Sequence, residues 1–287
     1  MNVSSHSRMI VSMTKTTKNV LVLGGTGKTG SRVASRLTEL GLTARRAARG
    51  GPDVRFDWDD TTTHRPALDG VDRVYLVAPV QRVDFAPAVS SFLDLAETAG
   101  VRHVTYLSAY GVNHAPPEAA HRAVELDLMA RSGFTYSILR PSWFMQNFSE
   151  TFLRPVEDVL DMPTGDGTEA FVDAEDIAAV AAATLADPAA HAGAEYALTG
   201  PEAITLAGVA GIISGVTGRP MRHENNPDTW LARSGASAEY TEVLLFLAGN
   251  IASGRDARPC DDIQKVTGRP AGDFTAYARR TAHAWST

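Results

Sequence analysis

The stretch NVLVLGGTGKTG, residues 19–30, decides the fold of this 287-residue chain. Its apolar run at 20–23 predicts a short strand, and apolar residues at helical spacing follow between 33 and 40. Between them lie glycines with the G-x-G-x-x-G spacing, which permits a tight turn, close approach of the backbone to a pyrophosphate and packing of a helix on a strand. We therefore predict a dinucleotide-binding turn. Its predicted cofactor-binding residues are Gly24, Thr26, Gly27, Lys28, Thr29 and Gly30.

The same turn contains Gly27-Lys28-Thr29, which resembles the end of a P-loop. A P-loop also needs a glycine five residues before Gly27. That residue is Val22, which lies inside the predicted strand. The spacing therefore argues against a nucleotide triphosphatase.

The composition is that of an ordinary globular protein. The formal net charge of −6 argues against a nucleic-acid partner, which would favour a basic face. The single cysteine, Cys260, excludes an intrachain disulfide and suits a reducing compartment. The scattered histidines form no cluster with the spacing of zinc ligands, so no metal is predicted.

No apolar run has membrane-spanning length, so no membrane partner is expected. Residues 1–18 are polar and lack the apolar core of a signal peptide, and we expect them to form a flexible tail. Met1, Met9 and Met13 are alternative starts. A cytoplasmic location is expected by elimination.

Apolar runs alternate with helical patterns through the first two-thirds of the chain. This alternation predicts an α/β fold of the Rossmann type, a doubly wound parallel sheet with a small, mostly helical C-terminal substrate subdomain. We expect a nucleotide-binding core at 19–160, and at 161–287 the remaining sheet and helix elements with a helical substrate lid. Predicted strands cover 20–23, 42–48, 54–56, 71–77, 101–107 and 134–139, and predicted helices 85–99, 117–131 and 173–187.

The second predicted strand indicates which dinucleotide binds. An NAD site usually has an acidic residue about 20 residues after the glycine turn, whereas residues 43–51 contain arginines and no carboxylate. Because arginine can grip a 2′-phosphate, we predict NADP(H). Strand alternation places Arg45 and Arg49 on one face, and Arg49, nearest the strand end, is the first choice. The alternative is that some of these arginines are solvated surface.

Other cofactor contacts are expected in loops after strands, because ligands of open α/β sheets bind beyond the carboxyl ends of the strands. Asp57 and Trp58 follow the third strand, at the position where side chains normally line the adenine pocket. A plain turn is an equal alternative. Ser108 is expected at the nicotinamide ribose, its alternative being a hydroxyl that bonds to the backbone. The remaining predicted contacts are Ala78, Pro79 and Pro141.

Together these motifs resemble the NmrA-like family of atypical short-chain dehydrogenases and reductases, from residue 19 to about residue 285. The branch that the chain resembles most contains ergot-alkaloid cyclising reductases and NADPH:quinone reductases. The family implies an NADP-binding Rossmann domain with a small substrate domain, and it also includes redox sensors that bind NADP without turnover. The resemblance is carried by the turn at 24–30, by His121 with Glu125, and by the segments 68–72, 101–104, 132–133, 139–141, 144–147, 171–173 and 176–178.

The chain departs from ordinary short-chain dehydrogenases in its catalytic pair. Those enzymes use Tyr-x-x-x-Lys, but the lysines here stand at 15, 18, 28 and 265, and none is four residues after a tyrosine. An electron-poor acceptor needs little acid help, and positioning alone can contribute much of the rate. The candidate catalytic residues are Tyr110 and His121, although His121 and Glu125 lie one helical turn apart, where a surface pair is common.

The loop after the sixth strand carries large apolar groups that suit a flat, apolar substrate. Trp143, Phe144 and Asn147 are the predicted substrate-binding residues, and the alternative is that the aromatic residues belong to the core. A homodimer is compatible with the sequence.

We therefore predict an NADPH-dependent reductase that transfers hydride to a small electron-poor acceptor such as a quinone, an iminium ion or a conjugated alkene. The alternative is a non-catalytic, NADP-binding redox sensor. An isomerase or epimerase is a weaker third reading, because the acid–base groups that it needs are not identifiable.

Overall fold

The computed structural model describes residues 19–254 and 258–286, so the expected tail at 1–18 lies outside the described residues. The strands of the described part are β1 (Asn19–Leu23), β2 (Thr43–Ala48), β3 (Val54–Arg55), β4 (Arg73–Val77), β5 (His103–Leu107), β6 (Thr135–Pro141), β7 (Val159–Leu160), β8 (Thr168–Glu169), β9 (Ala194–Leu198), β10 (Ile204–Thr205) and β11 (Arg222–His223).

The α-helices follow the order in which the sequence alternates. They are α1 (Lys28–Glu39), α2 (His64–Ala67), α3 (Ala86–Thr98), α4 (Ala120–Ala130), α5 (Asn147–Glu150), α6 (Ala174–Ala186), α7 (Leu206–Thr217), α8 (Pro227–Ser234), α9 (Ala238–Ala252), α10 (Asp262–Thr267) and α11 (Phe274–Thr281).

The main sheet has seven strands in the order β3-β2-β1-β4-β5-β6-β9, and every neighbouring pair is parallel. The doubly wound parallel sheet predicted from the sequence is thus confirmed. The strand order reverses between β1 and β4, and such a switch point opens a crevice at the carboxyl ends of the strands. The glycine turn that follows β1 lies at this crevice.

Helices cover both faces of the sheet, each through its own apolar cluster. One cluster joins the sheet to α1 and α6 through residues such as Val33 and Ile177. The cluster on the other face includes Phe92 of α3 and Leu128 of α4. Because both faces are covered, the polar groups of the central strands meet water only at the strand ends, where the site can form.

The C-terminal helices surround a third apolar cluster that includes Trp230 and Phe274 and also takes in Phe148 of α5. Two small sheets, β8 with β10 and β7 with β11, frame this cluster. The predicted helical C-terminal region is therefore present, and it packs directly against the loop expected to bind substrate. In the part of the chain that is described, no helix has the length and apolarity needed to cross a membrane.

Strand β9 was not predicted from the sequence. This strand has no continuous apolar run, and its Glu195 interrupts the pattern at the edge of the sheet. The start of α6, which precedes β9, was predicted correctly within one residue, and the Asp173 carboxylate caps this helix by accepting the N–H of Glu175.

Candidate cofactor-binding and active site

The glycine turn is held so tightly that its shape depends on missing side chains. Gly24 has a φ of +62°, a conformation that L side chains rarely adopt. A Cβ at Gly25 would lie 2.6 Å from the Cβ of Arg46, and a Cβ at Gly30 would lie 2.2 Å from the carbonyl oxygen of Gly24. Glycine at these positions therefore brings β1, β2 and the start of α1 within backbone contact.

The start of α1 is open to an anion. Gly27 caps the helix without a side-chain hydrogen bond, and the first turn contains no acidic residue. The first N–H groups of the helix are therefore unclaimed by side chains and point into the crevice with the positive end of the helix dipole. The turn and this helix start form a cradle that fits the pyrophosphate of a dinucleotide.

The arginines near β2 point in different directions. Arg45 donates to the carbonyl oxygens of Ala67 and Asp69, at 3.2 and 2.6 Å, in the segment that leads into the amino end of β4. The long Arg45 side chain therefore points away from the crevice. Arg45 is not placed with Arg49 as a residue for the 2′-phosphate. Arg46 is paired with Asp53 at 3.0 Å, and exposed Arg49 follows the carboxyl end of β2.

Asp57 and Trp58 follow β3, at the same edge of the sheet. The Asp57 carboxylate accepts the N–H of Asp59 at 3.2 Å, as in an ordinary turn. Half-buried Trp58 packs edge-on against Phe56, with ring centroids 5.0 Å apart. The structure thus contains the plain turn that the sequence offered as the alternative reading.

Four of the predicted cofactor contacts, including Ser108 at the expected nicotinamide ribose, come from three adjacent strand ends. Val77 pairs with Leu107, so Ala78 and Ser108 leave the sheet side by side, with Pro79 next along the chain. The N–H of Ser108 donates to Leu139 at 2.8 Å, which brings the end of β6, at Pro141, to the same place. The structure therefore brings these four predicted residues together.

One side of the crevice, which we call the α4 flank, consists of Ser108, His121, Glu125 and Arg140. Glu125 is fully buried; it accepts from the Ser108 hydroxyl at 2.6 Å and from the Arg140 guanidinium at 2.8 and 2.9 Å. Burial would raise the pKa of Glu125, but hydrogen bonds from Arg140, Ser108 and Arg122 hold that pKa below its ordinary value. Glu125 is therefore an ionised partner of Arg140 and not part of a surface pair.

His121 belongs to the same flank but carries no charge at neutral pH. Its Nδ1 is hydrogen-bonded to the Tyr106 hydroxyl at 2.7 Å, and its ring packs edge-on against Phe85. Burial lowers the pKa of His121 to about 4. An imidazolium proton is therefore not available for catalysis near pH 7.

Tyr110 lies where β5, β6 and the C-terminal region meet. Its N–H donates to Pro141 at 2.9 Å, and its hydroxyl accepts from the backbone N–H of Arg258 at 3.4 Å. The tyrosine is half-buried, so its hydroxyl is accessible from only part of its surroundings.

The opposite side of the crevice, which we call the α1 flank, consists of Lys28, Asn147, Glu150 and Thr151. The Lys28 ammonium donates to Asn147 Oδ1 at 2.6 Å and to Thr151 Oγ1 at 3.0 Å, and it lies 6.0 Å from the centroid of the Phe144 ring. This contact unites a predicted cofactor residue with two predicted substrate residues. Thr151 was not predicted, and no local motif distinguishes it.

The loop between β6 and α5 is fixed by the segment before α6. Val172 exchanges backbone hydrogen bonds with Trp143 and Met145, each at 2.9 Å. The Gln146 side chain donates to Asp173 at 2.7 Å and accepts from the N–H of Ala174 at 2.8 Å. Gln146 is thus a supporting residue that was visible in the sequence only as part of the family motif at 144–147.

Trp143 faces the C-terminal helices. Its ring lies 6.5 Å from that of Phe152, which lies 6.5 Å from that of Trp230. Trp143 and Phe144 are both only partly buried, so they retain apolar surface at the crevice while they contact the core.

A parallel sheet with a glycine turn at its switch point and an uncapped helix start defines a dinucleotide-binding Rossmann protein. Comparison with known families agrees, because a family model described as NAD(P)H-binding matches residues 24–188. The oxidoreductase YesF of Bacillus subtilis, which is uncharacterized, is 35% identical over 282 residues, covering 93% of this chain and 96% of that protein. Festuclavine synthase II of Penicillium roqueforti is 31% identical over 289 residues, covering 93% and 99%.

Solved structures share the fold at lower identity. An NADPH-dependent quinone oxidoreductase from Escherichia coli, complexed with NADPH, matches with a TM-score of 0.73 and 22% identity, over 91% of this chain and 99% of that chain. NmrA, a negative transcriptional regulator in complex with NAD, matches with a TM-score of 0.74 and 16% identity, over 95% and 97%. The protein therefore belongs to the NAD(P)H-binding family, shares its fold with NmrA and with the quinone oxidoreductase, and is an NAD(P)H-dependent oxidoreductase.

Proposed function

We propose that the protein is a reductase that uses NADPH to reduce a small, flat, electron-poor organic acceptor. The observation that carries this proposal is the crevice itself. The glycine cradle lies at one end, and partly exposed aromatic side chains, Trp143 and Phe144, lie at the other. When bound, the reduced nicotinamide would supply the hydride. The chain would supply orientation and a partly apolar wall that excludes water from one side of the acceptor.

The preference for NADPH over NADH would come from Arg49. This arginine is exposed just beyond β2, whereas Arg45 and Arg46 are engaged by backbone carbonyls and by Asp53. A guanidinium at this position is suited to a 2′-phosphate, and the nearby Asp53 carboxylate is neutralised by Arg46.

We expect Arg49→Ala to weaken the binding of NADPH at least tenfold and that of NADH by less than threefold, because only NADPH carries the 2′-phosphate. Nucleotide fluorescence measures both dissociation constants. Arg55→Ala is the control, since Arg55 is also an exposed arginine, on the next strand, and pairs with Asp60. Equal losses for the two nucleotides would contradict the role of Arg49.

The reductase is tested by following NADPH oxidation with quinones, azo dyes, cyclic iminium salts and conjugated enones. We expect turnover with at least one acceptor of this panel. Tight NADPH binding with no turnover of any acceptor would instead support the second candidate function, an NADP-binding redox sensor. That candidate is favoured by one observation, namely that the α4 flank, which holds the candidate catalytic residue His121, offers a neutral histidine and a paired carboxylate.

A homodimer and a cytoplasmic location stay predictions from the sequence.

A further inference from the structure

The lysines of the described part of the chain are Lys28 and Lys265, and only Lys28 lies at the crevice. Lys265 is exposed on α10 and pairs with Asp261 and Asp262. Lys28 instead projects from the start of α1, beside the phosphate cradle, to the loop that carries Phe144 and Asn147. Its ammonium therefore lies between the predicted cofactor region and the predicted acceptor region.

The charge of Lys28 is only weakly compensated. Its hydrogen-bond partners are the neutral side chains of Asn147 and Thr151. The nearest carboxylate on α5, Glu150, is bound to Arg32 at 2.7 Å, and Glu175 of α6 also holds Arg32, at 3.1 Å. Within residues 19–254 and 258–286, no carboxylate forms an ion pair with Lys28.

The ammonium also has spare donor capacity. A lysine ammonium carries three N–H donors, and Asn147 and Thr151 accept two of them. The third is left for a ligand in the crevice. The nearby Phe144 ring stabilises the cation without accepting a conventional hydrogen bond.

We propose that Lys28 is a catalytic residue that protonates the oxygen of a neutral acceptor, a quinone or a conjugated carbonyl compound, as that acceptor is reduced; this rests on the function proposed above. The acceptor gains a hydride, that is two electrons and one hydrogen, at a conjugated carbon, where a C–H bond forms as the dinucleotide loses that hydride and is oxidised. Its conjugated π electrons shift onto the carbonyl oxygen, and an O–H bond forms there as one N–H bond of Lys28 breaks. The neutral amine then regains a proton from water.

The environment suits proton donation near neutral pH. Burial lowers the pKa of Lys28 to about 8, the charge of Glu150 opposes this change, and the charge of Arg32 adds to it. The lysine is therefore mostly protonated at pH 7 but releases a proton far more readily than an exposed lysine. The same positive charge would repel an iminium cation, which needs no proton to be reduced.

The first experiment compares Lys28→Met with wild type, and uses Lys265→Met as a matched control. We expect kcat with a quinone to fall about 100-fold in Lys28→Met, the size of a general-acid contribution. Iminium reduction should not fall, because it needs no proton and the variant removes only a repelling charge. Wild-type quinone turnover should decline above about pH 8, and Lys28→Arg, which keeps the charge but does not titrate there, should lose this decline.

A second experiment measures the site without turnover. A nitrophenol is added as a dead-end ligand to the NADP⁺-loaded protein, and its absorbance gives the ratio of phenolate to phenol. An ammonium beside the oxygen favours the phenolate, so at a given pH wild type should hold about tenfold more of it than Lys28→Met. Equal ratios would overturn the proposal.

The remaining outcomes separate the two levels of inference. If wild type reduces none of the acceptors, the proposed function fails and the role of Lys28 fails with it. If wild type is active and Lys28→Met has the same kcat, only the role of Lys28 is overturned. It is also overturned if Lys28→Met loses NADPH affinity at unchanged kcat, because Lys28 would then be a phosphate ligand.

Discussion

The two flanks of the crevice treat charge in opposite ways. On the α4 flank, the buried Glu125 carboxylate is matched by Arg140, which in turn holds Glu195 at 2.6 Å. On the α1 flank, the half-buried Lys28 ammonium has amide and hydroxyl partners, and the neighbouring Glu150 is taken by Arg32. Both flanks are formed by loops and helices at the same edge of the sheet. The buried charges of the α4 flank are paired with one another, whereas Lys28 on the α1 flank forms no ion pair among the described residues.

This difference indicates where proton chemistry can occur. A buried charge that is fully paired has no proton to exchange near pH 7, and removing one of its partners is costly, whereas an under-compensated buried cation is a poised acid. In this protein the α4 flank is a structural support, and the acid that we propose, Lys28, lies across the crevice on α1.

The largest effect that we expect concerns the buried ion pair of the α4 flank. Glu125→Ala would leave Arg140 buried without its principal partner and should lower the free energy of unfolding by about 3–5 kcal/mol. The matched change on the other flank, Glu150→Ala, removes a partly exposed pair and should cost about 0–1 kcal/mol. Urea unfolding followed by tryptophan fluorescence measures both. Similar losses in the two variants would refute the contrast between the flanks.

The α1 flank could be predicted from the sequence only in part. Local patterns sufficed for the sheet and the cradle, because the strand, the glycine turn and the helix are adjacent in the chain. The contact between Lys28 and Thr151 joins positions 123 residues apart, and no local pattern encodes it. The burial that neutralises His121 likewise depends on Phe85 and Tyr106, which other elements supply.

Arg45 shows another limit of sequence reasoning. Strand alternation assigns the face from which a side chain leaves, but a long side chain can turn along that face toward either end of the strand. In the structure, Arg45 reaches the carbonyls at 67 and 69 instead of the crevice. Parity along a strand thus predicts a face and does not predict a ligand.

A smaller effect concerns the pH dependence of stability that His121 of the α4 flank causes. The pKa of His121 is lowered by burial to about 4 in the folded protein, below the usual value of 6.5. Since the unfolded chain then binds more protons between these values, stability is complete above about pH 6.5 and is lost as the pH falls toward 4. At pH 5 this single group should cost wild type about 2 kcal/mol relative to pH 7.

His121→Gln removes that titration and keeps a polar group near the Tyr106 hydroxyl. The variant should therefore lose less unfolding free energy than wild type between pH 7 and pH 5, as measured by urea unfolding at both values. Its turnover at pH 7 should stay within about threefold of wild type, because a neutral histidine is not the acid. A fall in turnover of about 30-fold or more, with normal NADPH binding, would return catalysis to the α4 flank.

The smallest effect concerns the influence of Glu150 on the pKa of Lys28 in the α1 flank. Glu150 raises the pKa of Lys28, and it also neutralises Arg32, whose charge lowers that pKa. Glu150→Gln removes a negative charge that stabilises the Lys28 ammonium, and it leaves more of the positive charge of Arg32 uncompensated. Both changes lower the pKa of Lys28, so the alkaline decline of quinone turnover should begin at a lower pH. At pH 8 the variant should turn over about twofold more slowly than wild type, with equal rates near pH 6.5. Glu39→Gln, which breaks an exposed pair with Arg36 at the far end of α1, is the control and should leave the profile unchanged. Because salt screens exposed charges more than buried ones, the difference should shrink at high ionic strength while the decline itself persists. A decline that Glu150→Gln leaves in place or moves to higher pH would mean that Glu150 does not raise the pKa of the titrating group, and the proton donor would have to be sought elsewhere than at Lys28.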